Sequence, residues 1–253
     1  YQDSDYNFSF RYCRAKTLGS PTLPRLLGPT TPGDPLTDRL KELLFNIEGT
    51  DDIIGVRVYA NADRLGPEAW LKEKQNSSVT LTATNIDGYR AATGGQTVYV
   101  SALNTTGGGS IYSNEILLSL NQQAGGPARQ IFDELVNSWQ FNTNLTEDNQ
   151  HKLQADFTRL QDLKTVRELI DRYALLHEYS IPQLISGSYI PGLSTSKWNS
   201  WSQNLAGALG KSLPVDPINS FGVCADHDAS TCWNESTKDF ICPADSFVYR
   251  YRA

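Results

Sequence analysis

Residues 79–120 read VTLTATNIDGYRAATGGQTVYVSALNTTGGGSIYSNEILLSL, and this stretch decides the fold class. Its apolar, β-branched and aromatic residues collect in four short runs, which short polar or glycine-containing turns separate. Such an alternation of strand-forming runs and turns is typical of an antiparallel meander. We therefore predict four strands, over residues 79–83, 86–92, 96–102 and 111–120.

The flanking sequence predicts one more strand and four helices. A run of β-branched residues favours a strand over 54–59. Helical spacing of apolar residues predicts helices over 36–45, 67–74 and 127–139, the first of them starting behind the capping pair Asp34-Pro35. A fourth helix, over about 148–179, carries an apolar stripe at every third or fourth position. The members of the stripe are Leu153, Phe157, Leu160, Leu163, Val166, Ile170 and Tyr173.

These elements predict an α+β protein with three segments. Residues 1–34 form an aromatic arm, whose period-two spacing predicts an edge strand, and a connector rich in proline and glycine. Residues 35–142 form an antiparallel sheet with packed helices. Residues 143–253 place the long helix on a small, loop-rich, disulfide-stapled sheet. The wholly polar stretch near 142–149, interrupted only by Leu145, sets the boundary between the two domains.

Composition excludes several classes of protein. Of the 253 residues, 39% are hydrophobic and 20% are charged, which is typical of a folded globular protein. The net charge is −6 and no basic cluster interrupts the sequence, so a nucleic-acid partner is not expected. No apolar run approaches the roughly 20 residues that a membrane-spanning helix needs. Because the chain lacks methionine and starts at Tyr1, we expect a processed chain whose export or anchoring segment lies outside this sequence.

The cysteines point to an oxidising compartment. Their number is even, four, and three of them lie in a polar region near the C-terminus: Cys224, Cys232 and Cys242, with Cys13 far upstream. All four are disulfide candidates, and the sequence leaves their pairing open. An alternative interpretation is a zinc site, in which His227 joins the three C-terminal cysteines.

The same region contains a possible calcium loop. Asp226, Asp228 and Ser230 occupy positions one, three and five of a D-x-D-x-S pattern, in which alternate oxygens can converge on a hard cation. Thr231 replaces the usual glycine at position six, and Thr237 replaces the usual acid at position twelve. We therefore keep three alternatives for this loop: a plain disulfide-stapled loop, a calcium site and a zinc site. No other cofactor is expected.

Catalytic motifs are missing from the sequence. The three histidines do not have the spacing of known zinc or hydrolase sites, and there is no H-E-x-x-H, G-x-S-x-G or G-x-G-x-x-G. The glycine-rich stretch at 106–110 is followed by a predicted strand and not by the helix that a phosphate site requires. The sequence therefore favours a protein that is not an enzyme, with a hydrolase as a distant alternative.

Two ordered motifs in the second half resemble a known family. The run DFTRLQDLKTV at 156–166, continuing to YSIP at 179–182, resembles the soluble half of the long helix in type IV pilin-like proteins and type II secretion pseudopilins. The later LGKSLPVDPIN at 209–219 and the terminal FVYRY at 247–251 are similar to the end of the same head domains. The resemblance implies a long helix packed on a small sheet, and a calcium ion in the C-terminal loops.

The chain departs from that family at its start. In pilins the helix stands at the extreme N-terminus and continues from a hydrophobic half that anchors and polymerises the subunit, whereas here about 150 residues precede it and that half is absent. In the first half, residues 113–120 and 128–141 resemble the last strand and helix of PsbP-like domains, which are small extracytoplasmic modules.

Together these features predict a structural protein. We expect a non-enzymatic component of a cell-surface or secretion apparatus that acts through protein–protein contacts or self-assembly. It is expected to be extracytoplasmic, either secreted or anchored at the cell surface by a segment not present here. Trp198, Trp201 and Trp233 are candidates for exposed contact residues, and burial in the core is the favoured alternative for each. The alternative is a secreted module that binds a carbohydrate or another small ligand.

Overall fold

The computed structural model describes residues 1–12, 25–27, 39–47, 50–75 and 79–253, which form two compact units, Tyr1–Phe157 and Thr158–Ala253. The first unit contains ten strands, two helices and the start of a third. These elements are β1 Gln2–Asp3, β2 Phe8–Ser9, β3 Arg25–Leu27, β4 Arg39–Asn46, β5 Ile53–Ala60, α1 Pro67–Gln75, β6 Thr82–Ile86, β7 Tyr89–Gly94, β8 Thr97–Thr105, β9 Ile111–Leu120, α2 Gly126–Asn137, β10 Gln140–Phe141 and the beginning of α3 Glu147–Leu176.

A seven-stranded antiparallel sheet organises the first unit. Its strands follow the order β3-β4-β5-β9-β8-β7-β6. The four strands predicted for residues 79–120 are present as β6 to β9 and pair as a meander, so this prediction is confirmed. Asp87 and Gly88 both have positive φ in the two-residue turn between β6 and β7, which is the conformation that an Asp-Gly hairpin turn favours. The α+β class is confirmed.

The two faces of this sheet are covered differently. One face packs on α2 and the start of α3. The buried residues of this layer include Val56 and Leu118 of the sheet, Ile131 of α2 and Phe157 of α3. The opposite face carries α1, whose Trp70 and Leu71 are buried on three residues of neighbouring strands. These three residues are Tyr59, Leu117 and Tyr99.

The aromatic arm and the first predicted helix differ from expectation. β2 pairs with β1 on one side and β10 on the other, so it is the centre of a small three-stranded sheet and not an edge strand. The predicted helix over 36–45 is wrong where it can be compared, because Arg39–Asn46 is strand β4. Leu40, Leu43 and Leu44 have helical spacing, yet pairing with β5 buries Leu43 and stabilises the extended form. The capping pair Asp34-Pro35 lies outside the described residues.

The second unit contains the rest of α3 and a set of short elements. They are β11 Leu193–Thr195, a π-helical turn Trp201–Leu205, α4 Ala206–Leu209, β12 Trp233–Asn234, β13 Asp239–Phe240 and β14 Arg250–Arg252. β11 pairs with β14, and β12 pairs with β13. The predicted long helix is confirmed as α3, but Leu160 and Leu163 of its predicted stripe are 40% and 51% exposed. Gln161 and Asp162 are buried in their place.

The contacts divide the chain within α3, whereas the sequence pattern divides it at 142/143. The segments 1–34, 35–142 and 143–253 therefore stay a prediction about sequence modules.

Candidate functional site

The two motifs that carry the pilin-like resemblance meet in the second unit. Arg159, from the helix motif, donates from Nε to Asp216 Oδ2 at 2.7 Å and from Nη2 to Asp216 Oδ1 at 3.2 Å. Asp216, from the later motif, is buried and also accepts the backbone N–H groups of Ile218 and Asn219. A bidentate pair of this kind fixes both distance and orientation. The guanidinium also lies over the Phe247 ring, 5.1 Å from its centroid.

The pKa of Asp216 reflects these bonds. Burial raises it, but the hydrogen bonds from Arg159 and from the backbone of Ile218 and Asn219 together lower it below its ordinary value. Asp216 is therefore a carboxylate at neutral pH.

A second polar contact joins α3 to the C-terminal strand region. The Tyr249 hydroxyl donates to Asp162 Oδ2 at 2.8 Å, and both residues are buried. Burial and the negative charge of Asp162 raise the pKa of this tyrosine far above its ordinary range, so the hydroxyl stays protonated. Nearby, Trp201 donates from Nε1 to the carbonyl of Pro214 at 2.9 Å. The motifs at 156–166, 209–219 and 247–251 are therefore joined by hydrogen bonds within the second unit.

The three candidate contact tryptophans are buried, so the interpretation as exposed contact residues is wrong and the core alternative agrees with the structure. Trp198 and Trp201 are each 2% exposed, and Trp233 is 7% exposed. Trp198 packs edge-on against Phe240, while Trp233 stacks on Tyr189 at 5.3 Å between centroids. A unit with so few regular elements uses these large side chains as its core, which removes them from any contact surface.

The cysteine loop is a disulfide loop. Cys224 is bonded to Cys232, with their Cα atoms 5.4 Å apart. Cys242 is exposed and has no disulfide partner among the described residues, while Cys13 lies outside them. The zinc alternative is wrong, because the disulfide removes two of the four proposed thiolate and imidazole ligands. His227 instead places Nε2 at 3.3 Å from Asp239 Oδ2.

Two of the three proposed calcium ligands, Asp228 and Ser230, bond to each other within the loop. Asp228 Oδ1 accepts four hydrogen bonds, from the backbone N–H and the hydroxyl of both Ser230 and Thr231. These bonds lower the pKa of Asp228 and close a tight turn. Asp226 adopts a left-handed backbone at φ 62° and accepts a bond from Asn234 through its carbonyl. Across the residues that the structure describes, no three His, Cys, Asp or Glu side chains are grouped to hold a metal ion.

Sequence reasoning missed an exposed apolar surface at the end of α3. Leu175 is 70% exposed, Leu176 is 75% exposed and Tyr179 is 80% exposed. We call these three residues the helix-end patch. Glu178 and Tyr179 both have positive φ, which is uncommon for residues other than glycine and turns the chain sharply after the helix. A signal was present in the sequence for Leu175, which lies on the side of α3 opposite the buried Val166. None was present for Leu176, which follows the buried Leu169 by seven residues and therefore shares its side of the helix.

A shallow depression of about 440 Å³ lies beside the disulfide loop. The Tyr189 ring, 44% exposed, forms one wall, and polar side chains form the rest. The polar lining residues are Asp226, Asp228, Ser230, Thr231, Asn234 and Glu235, with the Trp233 ring behind them.

Comparison with known proteins gives no relative for this fold. No family model matches the chain, and neither a curated protein nor a solved structure matches it. Within the described part of the chain, every helix is too short or too polar to cross a bilayer. The protein is an α+β protein of two units, and the second unit has a disulfide-closed loop.

Proposed function

We propose that this protein is a non-enzymatic structural component of a cell-surface or secretion assembly, similar to pilins and pseudopilins, that acts through protein–protein contacts. The helix-end patch carries the proposal. Three large apolar side chains within five residues, each at least 70% exposed, are costly to leave in water unless a partner covers them. Rigid packing of the second unit would hold this patch in a fixed orientation.

The motif contacts support the pilin-like part of the proposal. The Arg159–Asp216 pair joins residues 57 positions apart, and the Tyr249–Asp162 bond joins residues 87 positions apart. All four residues belong to the motifs that resemble those of pilin-like proteins. Such contacts make the unit rigid, which suits a head domain that transmits force or binds neighbours. The Cys224–Cys232 disulfide is in keeping with an oxidising, extracytoplasmic setting.

The histidines favour a non-enzymatic role. His177 is exposed and stacks on Tyr173 of the same helix, with ring centroids 3.8 Å apart. His151 is also exposed and lies 3.8 Å from Glu147, one turn earlier on α3. His227 is held between the Ala225 carbonyl and an aspartate. Each histidine therefore has a local structural partner.

The experiment is sedimentation of the native assembly from the producing cells. We would compare the wild type with the double variant Leu176→Gln/Tyr179→Ser and with Ile111→Gln, a matched control at another exposed apolar position, in the first unit. We expect the wild type and the control to sediment with high-mass surface material, and the double variant to move to the position of the free chain. Equal melting curves would establish that all three are folded. Sedimentation of the wild type as a free chain would contradict the proposal.

The second candidate is a carbohydrate-binding module, and the depression beside Tyr189 favours it. An exposed aromatic ring next to carboxylate and amide oxygens is the chemistry that a sugar face and its hydroxyl groups require. A thermal-shift screen against neutral glycans tests it. A shift that Tyr189→Ala abolishes would support binding, whereas no shift with any glycan would remove this candidate.

A further inference from the structure

A buried carboxyl group lies at the centre of the sheet in the first unit. Glu115 is fully buried in β9, directly opposite Tyr59 of β5 on one side and Ser101 of β8 on the other. Ser101 donates a hydrogen bond from its hydroxyl to Oε2. The other oxygen, Oε1, is buried and has no hydrogen-bond partner within the part of the chain that the structure describes. An ionised carboxylate in this position would carry an almost uncompensated charge.

The neighbours of Glu115 are the residues on which α1 packs. Tyr59 faces Glu115 across the strands, and Leu117 is the next residue of β9 on the same face of the sheet. Both lie in one cluster with Trp70 and Leu71 of α1. Helix α1 has only nine residues; Pro67 is buried with Trp70 and Leu71, and Glu68, Ala69, Lys72, Glu73 and Lys74 are exposed.

A second unsatisfied group lies under the same helix. Trp70 Nε1 is buried and has no hydrogen-bond partner among the described residues, although its ring lies 5.4 Å from that of Tyr59. The unpaired Glu115 oxygen and the unpaired Trp70 donor thus belong to two neighbours of Tyr59, and each costs free energy while it stays buried. Displacement of α1 would expose the Trp70 donor to water and remove the Trp70 ring from Tyr59, the cross-strand neighbour of Glu115.

The pKa of Glu115 is set by burial and by one hydrogen bond. Burial raises it to about 8, and the bond from Ser101 opposes the rise, with no charged side chain of the described residues among the causes. The uncharged groups around Glu115 on this face are Tyr59 from β5, Tyr99 and Ser101 from β8, Ser113 and Leu117 from β9, and Trp70 and Leu71 from α1. Charged groups also lie on the same face: Arg57 of β5, which is engaged with Glu42 and Ser119, and Arg90 of β7, which is exposed one strand beyond Ser101.

We propose that the proton on Glu115 is a latch that holds α1 on the sheet, so that its loss releases the helix and exposes the aromatic surface beneath it. The direction of the effect follows from the raised pKa. The packed state binds the proton more tightly than the open state, so stability is complete below pH 4.5, the ordinary value, and is lost as pH rises towards 8.

Hydrogen exchange measured by mass spectrometry on the full chain tests the latch. Peptides that cover α1 are compared at pH 5 and pH 8, after correction for intrinsic exchange rates, with α2 as the internal reference. For the wild type we expect the opening constant of α1 to rise on the order of a hundredfold, while α2 is unchanged. Glu115→Gln keeps the shape of the protonated acid, so its α1 should show no pH dependence. An equal response of wild type and variant would overturn the latch.

A second measurement does not depend on the variant. Infrared spectra of the native wild type, labelled with ¹³C at glutamate carboxyl groups, should show one protonated carboxyl at pH 6.5 that disappears on denaturation. Complete ionisation of glutamate in the native protein at this pH would also overturn the proposal.

Discussion

Replacement of Arg159 by glutamine should loosen the second unit strongly. The side chain is 20% exposed, while that of Asp216 is 3% exposed, so the variant leaves a buried carboxylate with only two backbone N–H groups. Breaking a buried pair costs about 3–5 kcal/mol, and partial exposure of the arginine places the expected loss near 3 kcal/mol. The assay is native-state hydrogen exchange of peptides within 158–176, which reports the opening free energy of this segment directly.

The pair can be isolated by a double-mutant cycle. Asp216→Asn and Arg159→Gln are combined, and we expect a coupling free energy of about 2 kcal/mol. The pH dependence has a definite sign. Because the pKa of Asp216 is lowered in the folded state, its contribution is present above the ordinary value of 3.8 and is lost as pH falls below it. The Arg159→Gln variant should show a weaker acid dependence. A loss below 1 kcal/mol, or a coupling near zero, would refute the argument that this pair joins the two motifs.

Three further predictions concern the second unit. Trp201→Ala should lower the stability of this unit by about 3–5 kcal/mol in hydrogen exchange, because the ring is buried in its core. A change below about 1 kcal/mol would contradict the burial of Trp201. Replacing Cys224 and Cys232 by serine should cost roughly 2–3 kcal/mol, the loop-closure value for so short a loop, and an unchanged melting temperature would contradict the structural role of the bond. EDTA should leave the melting temperature unchanged, because Asp228 Oδ1 already accepts four hydrogen bonds from the protein. A clear decrease would support the calcium interpretation.

Local pattern predicted the elements whose pairing partners are close in sequence. The meander over 79–120 could be predicted because each strand pairs with the next. Helix α3 could be predicted because its apolar residues recur over eight turns. Strand β4 could not, because Leu40, Leu43 and Leu44 have helical spacing and only pairing with β5 decides between helix and strand. Since β5 is the next strand along the chain, distance in sequence does not explain this error; the cause is an apolar spacing that fits both a helix and a strand.

The surface and the core of the second unit were harder to assign. Trp198 and Trp233 resembled contact residues, since nothing in the sequence shows that a loop-rich unit must bury its largest side chains. Asp162 gave no sign of burial, because its partner Tyr249 is 87 residues away. Conversely, Leu176 follows the buried Leu169 by seven residues, so the helical pattern puts it on the buried side and only the structure shows that it is exposed.

The most direct test of the structural role is site-specific photo-crosslinking in the producing cells. A photoreactive amino acid replaces Leu176 in the helix-end patch or, as the matched control, Ile111 in the first unit. We predict a discrete adduct with one other protein, or with a second copy of this chain, from position 176 and not from position 111. The absence of any adduct at 176, or identical adducts at both positions, would contradict the proposal that this protein works through contacts of its second unit.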